Sequence, residues 1–254
     1  EGQFSNPCTE AARHTLDWLS ATARDVLARR AAADVDLLEL HSGFGASTVA
    51  LASCFRRVLS VEISRDLAEA QRHNLELNGI TNVTVARGDA DDAGWLRREE
   101  AEGGWRFGVA LIDPPRGGLS EATLGLLAEM EVVLGVWCNS EAMAANLQEL
   151  TKTHEVKKLA MIDQFPFTDF LECAVLLERK EEGVVLRGVP TSLGESEVAA
   201  ELGVPEAAVT RFTRTAKGGA PVPLPLVRVR CDAASCDSLL AAGTRLVGGV
   251  ECAV

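Results

Sequence analysis

Two residues in this sequence have the chemistry of a nucleophile and a base. Cys138 follows the apolar run VLGVW, and a thiol is strongly nucleophilic once it loses its proton. The start of the helix expected after it would lower the pKa of that thiol. Glu172 precedes the apolar run CAVLL, where nearby phenylalanines are expected to desolvate the carboxyl and raise its pKa. Each has a structural alternative, since a buried cysteine is often only a small apolar residue and a glutamate can simply begin a strand.

A rigid turn carries two further candidates. In the run DPPR, two prolines fix the exit from an apolar strand and hold the Asp113 carboxylate at the end of that strand. Arg116 supplies a fork of N–H donors that suits a phosphate or a carbonyl oxygen. The alternative is a turn with no role beyond the fold.

A glycine-bearing turn and two carboxylates indicate a ligand that carries a ribose. Gly43 and Gly45 lie between an apolar strand and a helix, where glycine lets the backbone approach a ligand and the helix start offers free N–H groups. The full dinucleotide fingerprint G-x-G-x-x-G is absent, because Thr48 takes the last position. Glu62 ends the next strand and can accept both hydroxyls of a ribose. Asp89 follows the third strand and either meets an adenine edge or belongs to a solvated acidic turn.

Alternating strands and helices must position these residues. Apolar runs of strand length lie at residues 36–40, 57–63, 82–89 and 107–115, with helical segments between them, and the alternation continues through Lys180. This pattern predicts an α/β fold with a doubly wound, parallel sheet. Ligands of such sheets bind at the carboxyl ends of the strands, which is where the candidate residues lie.

A second domain is predicted for residues 181–254, which leaves residues 1–180 as the first. Its segments follow the order β-α-β-β-α-β, which is that of the ferredoxin-like α+β fold. RNA-recognition motifs use this fold, as do many unrelated small domains. Apart from Phe212, its strands lack the usual stacking aromatics. A protein partner for residues 181–254 is therefore at least as well supported as RNA.

The composition fits a folded chain of 254 residues with an acidic surface. Apolar residues make up 47% and charged residues 24%, which excludes wholesale disorder. No apolar run approaches the ~18 residues of a membrane helix, so no membrane association is expected. The net charge is −12, and residues 1–180 hold 18 basic against 28 acidic residues. This charge argues against RNA binding through phosphate contacts alone.

The seven cysteines predict no metal site. Their number is odd, their spacing is scattered, and the sequence contains no C-x-x-C pair. Free thiols in a reducing compartment are the expectation.

Six segments, in order, resemble the RNA uracil-5 methyltransferase family, and its tRNA branch in particular. They are QFSNPCTEAARHTLDW, LLELHSGFGAS, VLSVEIS, LIDPPRGGL, WCNSEAMAANL and DQFPFTDFLECAVLL. The resemblance covers residues 4–180 and implies a Rossmann-like class I methyltransferase fold that uses S-adenosylmethionine. The RRM-like unit at the C-terminus is not part of the common bacterial layout of this family.

The resemblance implies roles for five residues. Cys138 matches the nucleophile of the family and Glu172 its general base. Glu62 and Asp113 match contacts to the cofactor, and Asn6 falls where the family has a cofactor-binding glutamine.

Other positions depart from the family pattern. His41 falls on an aromatic cofactor position, usually tyrosine, and Ala46 falls where a polar cofactor contact is often found. Ser140 replaces the usual proline of the Cys-Asn-Pro motif. The nucleophile and base are retained, while several cofactor contacts are altered.

The implied reaction is methylation of carbon 5 of a uridine in RNA through a covalent bond between Cys138 and uracil. Arg116 is a candidate for stabilising the enolate oxygen of the substrate. One alternative is a non-enzymatic RNA-binding or chaperone module with a decayed cofactor site. Another is a methyltransferase for protein or a small molecule, which the acidic charge favours but which leaves Cys138 and Glu172 without a role.

Overall fold

The structure, a computed structural model, divides the chain into two compact units, Glu1–Lys180 and Glu181–Val254. The residues that it describes are 8–30, 35–168, 171–180, 183–204, 206–215, 221–231, 233–247 and 250–254.

In the described part of the first unit, seven strands form one sheet in the order β3-β2-β1-β4-β5-β7-β6. The strands are β1 (Asp36–Leu40), β2 (Val58–Glu62), β3 (Val83–Arg87), β4 (Phe107–Ile112), β5 (Val132–Trp137), β6 (His154–Ile162) and β7 (Glu172–Arg179). The first five are parallel, and β7 is antiparallel to both β5 and β6. The predicted α/β fold is confirmed, with a mixed edge on an otherwise parallel sheet.

Over the described residues of this unit, six α-helices cover the two faces of the sheet. They are α1 (Thr9–Arg29), α2 (Ala46–Leu51), α3 (Arg65–Leu77), α4 (Ala93–Gly103), α5 (Glu121–Leu127) and α6 (Ser140–Leu150). One apolar core lies under α4, α5 and α6, and a second lies under α1 and α2. Strands β1, β2 and β5 are buried at every position, which is why their sequences are mostly apolar.

The first helix has no side-chain cap at its start and buries two threonines. Its cap position is Cys8, whose side chain makes no capping hydrogen bond. The buried face also contains Thr15 and Thr22 among its apolar residues, whereas Leu16 is only half-buried. Thr15 matters below because its hydroxyl reaches Glu172.

The second unit is an α+β domain, as predicted. Its antiparallel sheet has the order β11-β12-β8-β10-β9 over the described residues, and its own apolar core lies beneath two helices. Its elements are β8 (Gly183–Arg187), α7 (Glu195–Leu202), β9 (Val209–Thr215), β10 (Pro221–Arg230), α8 (Ala233–Ala242), β11 (Thr244–Val247) and β12 (Val250–Ala253). The specific likeness to RNA-recognition motifs stays a prediction.

Two details of this unit go beyond the predicted order of elements. Strand β10 already begins at Pro221, and its register against β9 is irregular between Pro223 and Val227. The irregularity accommodates prolines that cannot donate to the ladder. A further strand, β11, pairs with β12 as a hairpin that the sequence did not predict.

The expectation of free thiols is wrong for two of the seven cysteines. Cys231 and Cys236 form a disulfide, with a Cα–Cα distance of 5.8 Å. They approach because Cys231 directly follows β10 and Cys236 is the fourth residue of α8. Five cysteines are free, namely Cys8, Cys54, Cys138, Cys173 and Cys252.

Among the described helices, none is long and apolar enough to span a bilayer.

Candidate active site

The glycine turn after β1 is fixed by Glu62 at the end of β2. The Gly43 N–H donates to one oxygen of the Glu62 carboxylate at 2.8 Å, and the Ser64 N–H donates to the other at 2.8 Å. Gly43 and Gly45 both have positive φ, 57° and 85°, a region that favours glycine. A side chain built on Gly43 would meet nothing within 4 Å, so the space beside this turn is open. These hydrogen bonds hold the glycine turn and the Glu62 carboxylate in one fixed arrangement.

A buried polar network supports this turn from below. Glu39, on β1, is only 2% exposed, and the hydroxyls of Thr48 and Ser60 donate to its carboxyl at 2.5 and 3.2 Å. The Gln71 amide donates to those same two hydroxyls at 2.7 and 2.6 Å. Burial raises the pKa of Glu39 to about 7, against the two hydrogen bonds. The sequence reading missed this network, although a glutamate inside an apolar strand was a signal for it.

His41 lies in a cluster of carboxylates beside the turn. Its backbone has φ 60°, which is unusual for a residue other than glycine. Burial lowers the pKa of His41, opposed by the nearby charges of Asp91, Glu62 and Asp89. The imidazole is therefore neutral near pH 7.

Asp89 and Asp91 have different surroundings, although both follow β3. Asp91 accepts hydrogen bonds from the hydroxyls of Ser120 and Thr123 at 2.6 and 2.7 Å, which lower its pKa. Asp91 thus fastens this loop to the start of α5. Asp89 is exposed and accepts the Asp91 N–H at 3.0 Å. Of the two, Asp89 has the more open carboxylate for a ligand.

Asp113 directly follows the end of β4. Its side chain is exposed, yet protein atoms surround it densely. Crowding by protein atoms raises the pKa of Asp113, and the carboxylates of Glu172 and Glu39 raise it further. Water that reaches the exposed carboxylate screens its charge. Dense surroundings with remaining access are the features of a binding crevice.

Two asparagines hold the DPPR turn in place, and the sequence reading missed both. Asn139 donates to the Arg116 carbonyl at 3.0 Å, while its Oδ1 accepts the N–H groups of Glu141 and Ala142 at the start of α6. Asn146, on α6, accepts the Leu119 N–H at 3.0 Å. A single polar residue at the start of a helix or on its surface gives no indication in the sequence that its side chain bonds to a distant turn.

Cys138 lies one residue past β5, half-buried, beside three charged groups. Burial raises the pKa of the thiol; the Asp113 and Glu172 carboxylates raise it further, and Arg116 lowers it. The prediction that the helix start lowers this pKa is wrong. Asn139 caps the first free N–H groups of α6, so those groups face its side chain rather than the sulfur.

Glu172 begins β7 and is a buried residue, with 8% of its surface exposed. Burial raises its pKa, and a hydrogen bond from the Thr15 hydroxyl to Oε2 at 3.2 Å opposes the shift. The ladder of β5 and β7 pairs Trp137 with Cys173, which makes Cys138 and Glu172 neighbours at the end of that ladder. The predicted raised pKa of this carboxyl agrees with the structure.

The structure thus gathers the predicted residues at one edge of the sheet, in two groups. The first surrounds the glycine turn with Gly43, Gly45, His41, Glu62 and Asp89. The second contains Cys138, Glu172, Asp113 and Arg116, whose charges influence one another. Asn6 lies outside the described residues. Within the part of the chain that is described, no cluster of His, Cys, Asp and Glu could hold a metal ion.

The arrangement agrees with a comparison against known families. Residues 1–180 match the family model described as tRNA (Uracil-5-)-methyltransferase. The chain belongs to this family. Its glycine turn, DPPR turn, Cys138 and Glu172 all lie within the matched region.

Relatives in the family are enzymes with the name tRNA/tmRNA (uracil-C(5))-methyltransferase. The one from Azotobacter vinelandii is 40% identical over 189 residues, which cover 71% of this chain and 50% of the relative. The one from Neisseria meningitidis serogroup A is 37% identical over 191 residues, covering 71% and 51%. The chain thus spans about half the length of these relatives.

Solved structures show a more distant likeness. The Pyrococcus abyssi tRNA (uracil-54, C5)-methyltransferase in complex with S-adenosyl-L-homocysteine is 22% identical, with a TM-score of 0.47, covering 61% of this chain and 38% of that one. The 23S rRNA methyltransferase ErmE is 21% identical, with a TM-score of 0.48, covering 67% and 69%.

Proposed function

We propose that this chain transfers a methyl group from S-adenosylmethionine to carbon 5 of a uridine in RNA, with tRNA as the substrate. The observation that carries this proposal is the placement of Cys138, Glu172 and Asp113 at one sheet edge, where their charges influence one another. Family membership and the names of the relatives support the same reaction.

The glycine turn and its neighbours fit the proposed cofactor. Glu62 can accept the ribose hydroxyls, because two backbone N–H groups already hold its carboxylate in one position. The open space beside Gly43 admits a ligand close to the backbone. Asp89 and the neutral His41 would lie beside the adenine, and Asp113 would lie toward the reacting group. When bound, S-adenosylmethionine supplies the methyl group that carbon 5 of the uracil takes up.

Cys138 would make carbon 5 reactive. Its thiolate adds to carbon 6, a bond forms between Sγ and carbon 6, and the electron pair of the double bond moves toward the oxygen on carbon 4 as an enolate. Arg116 would stabilise the negative charge on that oxygen. Because the pKa of Cys138 is raised, its thiol is mostly protonated in the free protein. The charge of Arg116 lowers this pKa and so favours the reactive thiolate.

Glu172 would complete the reaction as the base. It removes the proton on carbon 5, and the electron pair of that C–H bond restores the double bond and expels the Cys138 thiolate. A carboxyl with a raised pKa is a stronger base than an ordinary glutamate, which suits this step. Thr15 holds one carboxylate oxygen and leaves the other for the proton.

The direct test is incubation of the full chain with labelled S-adenosylmethionine and unmodified tRNA, followed by digestion to nucleosides. We expect labelled 5-methyluridine. Label in protein or in another nucleoside would contradict the proposal, and so would binding of tRNA without any transfer.

Two variants then separate the roles of nucleophile and base. Cys138→Ala should give neither methylation nor a covalent complex with RNA. Glu172→Gln should still permit attack and methyl transfer but stall before elimination, because the amide cannot accept the proton. A methylated RNA–protein adduct should accumulate as a slow band on a denaturing gel. Normal turnover by Glu172→Gln would mean that another base acts.

A further inference from the structure

The described part of the loop between β6 and β7, residues 163–168, begins at the edge of the sheet where the candidate residues lie. Strand β7 is antiparallel to both β5 and β6, so β6 runs in the same direction as β5. The loop therefore leaves β6 at the edge where Cys138 follows β5, and it leads directly into Glu172.

Phe167 in this loop is fully exposed in a strained backbone conformation. Its relative exposure is 107%, more than that of any other large apolar side chain among those described as exposed. Its φ is 67°, in the left-handed region that a bulky residue rarely adopts. Strain of this kind persists where the surroundings impose it, and it concentrates at functional sites. The Thr168 hydroxyl and N–H, which donate to the Phe165 carbonyl at 2.7 and 3.2 Å, close the turn that presents the ring.

Gln164, three residues before Phe167, is a second unusual feature of this loop. Its side chain is 0% exposed, and neither its Oε1 nor its Nε2 has a hydrogen-bond partner among the described residues. A buried amide without a partner is rare in a finished structure. Within four residues, the loop thus buries an unpaired polar group and exposes an aromatic ring, the reverse of the usual arrangement.

We propose that Phe167 stacks on a base of the substrate RNA next to the target uridine, and so keeps the strand open while that uridine lies in the active site. This inference rests on the proposed function. An enzyme that acts on a base must take it out of its stack, which leaves the neighbouring bases without a stacking partner. An exposed phenylalanine five residues before the general base is placed to fill that gap. Aromatic stacking accepts any base, so it suits a contact with the neighbours of the target.

The test uses the full chain with Phe167→Ala and Phe167→Trp. Leu77→Ala is the matched control, because Leu77 is also a large, exposed apolar residue (70%) but lies at the end of α3. Affinity for a tRNA transcript is measured by fluorescence anisotropy, and methyl transfer is measured on the same transcript. Phe167→Ala should weaken binding ~5- to 150-fold, the equivalent of one stacked base, while Phe167→Trp and Leu77→Ala stay near wild type.

A second RNA, with an abasic site in place of the target uridine, identifies the base that Phe167 contacts. The loss in Phe167→Ala should persist on this RNA, because the neighbouring bases remain. A loss that disappears would place Phe167 against the target uracil and overturn the proposal. So would equal affinities for Phe167→Ala and Leu77→Ala on both RNAs. Failure of the wild type to methylate any tRNA would instead contradict the proposed function, and the abasic RNA would still report on Phe167.

Discussion

At the scale of single residues, the reactivity of Cys138 is set by opposing charges. The Asp113 carboxylate raises the pKa of the thiol and Arg116 lowers it. Asp113→Asn should therefore increase the rate of Cys138 alkylation by iodoacetamide near pH 8, and Arg116→Leu should decrease it, because only the thiolate reacts. Peptide mass spectrometry separates Cys138 from the other free cysteines. The buried Cys173 serves as an internal reference. If Cys138 is alkylated at the same rate in both variants, these two charges do not affect the pKa of its thiol.

Gln164 and Gln71 should respond in opposite directions to the same substitution. Both side chains are fully buried, but Gln71 donates to two hydroxyls, whereas Gln164 has no partner among the described residues. Gln164→Met should raise the free energy of unfolding by ~1–3 kcal/mol, because it removes an unpaired polar group and keeps the volume. Gln71→Met should lower it by a similar amount. Urea denaturation of both variants measures the two signs, and destabilisation by Gln164→Met would show that its amide has a partner in solution.

At the scale of elements, the Glu39 network joins β1, β2, α2 and α3 beneath the glycine turn. The folded pKa of Glu39, about 7, lies above its ordinary value of 4.5, so the folded protein binds more protons between these values. Its contribution to stability is present below pH 4.5 and is lost as the pH rises toward 7, by up to about 3 kcal/mol. Glu39→Gln should remove this part of the pH dependence. Unfolding of wild type and variant at pH 5 and pH 8 tests it, and identical pH dependence would contradict a buried, neutral Glu39.

The elements themselves were largely predictable, and the contacts between them were not. Strands β1, β2, β4 and β5 were predicted because parallel strands covered on both faces become continuous apolar runs. The placement of Cys138 and Asp113 then followed from the rule that parallel strands end at a common edge. Thr15, Asn139 and Asn146 could not be predicted, because a single polar residue on a helix gives no indication of its partner. In the second unit, the start of β10 could not be predicted, because it contains prolines, which are uncommon inside strands.

At the scale of the whole molecule, the two units have separate apolar cores. The first unit contributes every residue of two core clusters and the second unit every residue of the third. A fragment of residues 1–180 should therefore fold alone and keep its melting temperature within a few degrees of the corresponding transition of the full chain. Calorimetry measures both. Loss of cooperative unfolding in the fragment would mean that the second unit stabilises the first.

The role of the second unit can be read from the salt dependence of RNA binding. Its described strands contain Glu251 as their one acidic residue, against several arginines. The strand pairing places Arg187, Arg228 and Arg230 on one face of the sheet, opposite the core residues Val227 and Val229.

We expect this face to contact RNA phosphates, so the full chain should bind tRNA more tightly than residues 1–180 in low salt. Each phosphate neutralised adds about 0.7–0.9 to the slope of log K against log salt, so the full chain should show the steeper slope. Charge reversal of Arg187, the exposed member of the three, should reduce the slope of the full chain by about one. Titrations of both proteins at several salt concentrations give the two slopes. Equal affinities and equal slopes would instead assign residues 181–254 to a protein contact or to a scaffold, since a surface that releases no counterions makes no phosphate contacts.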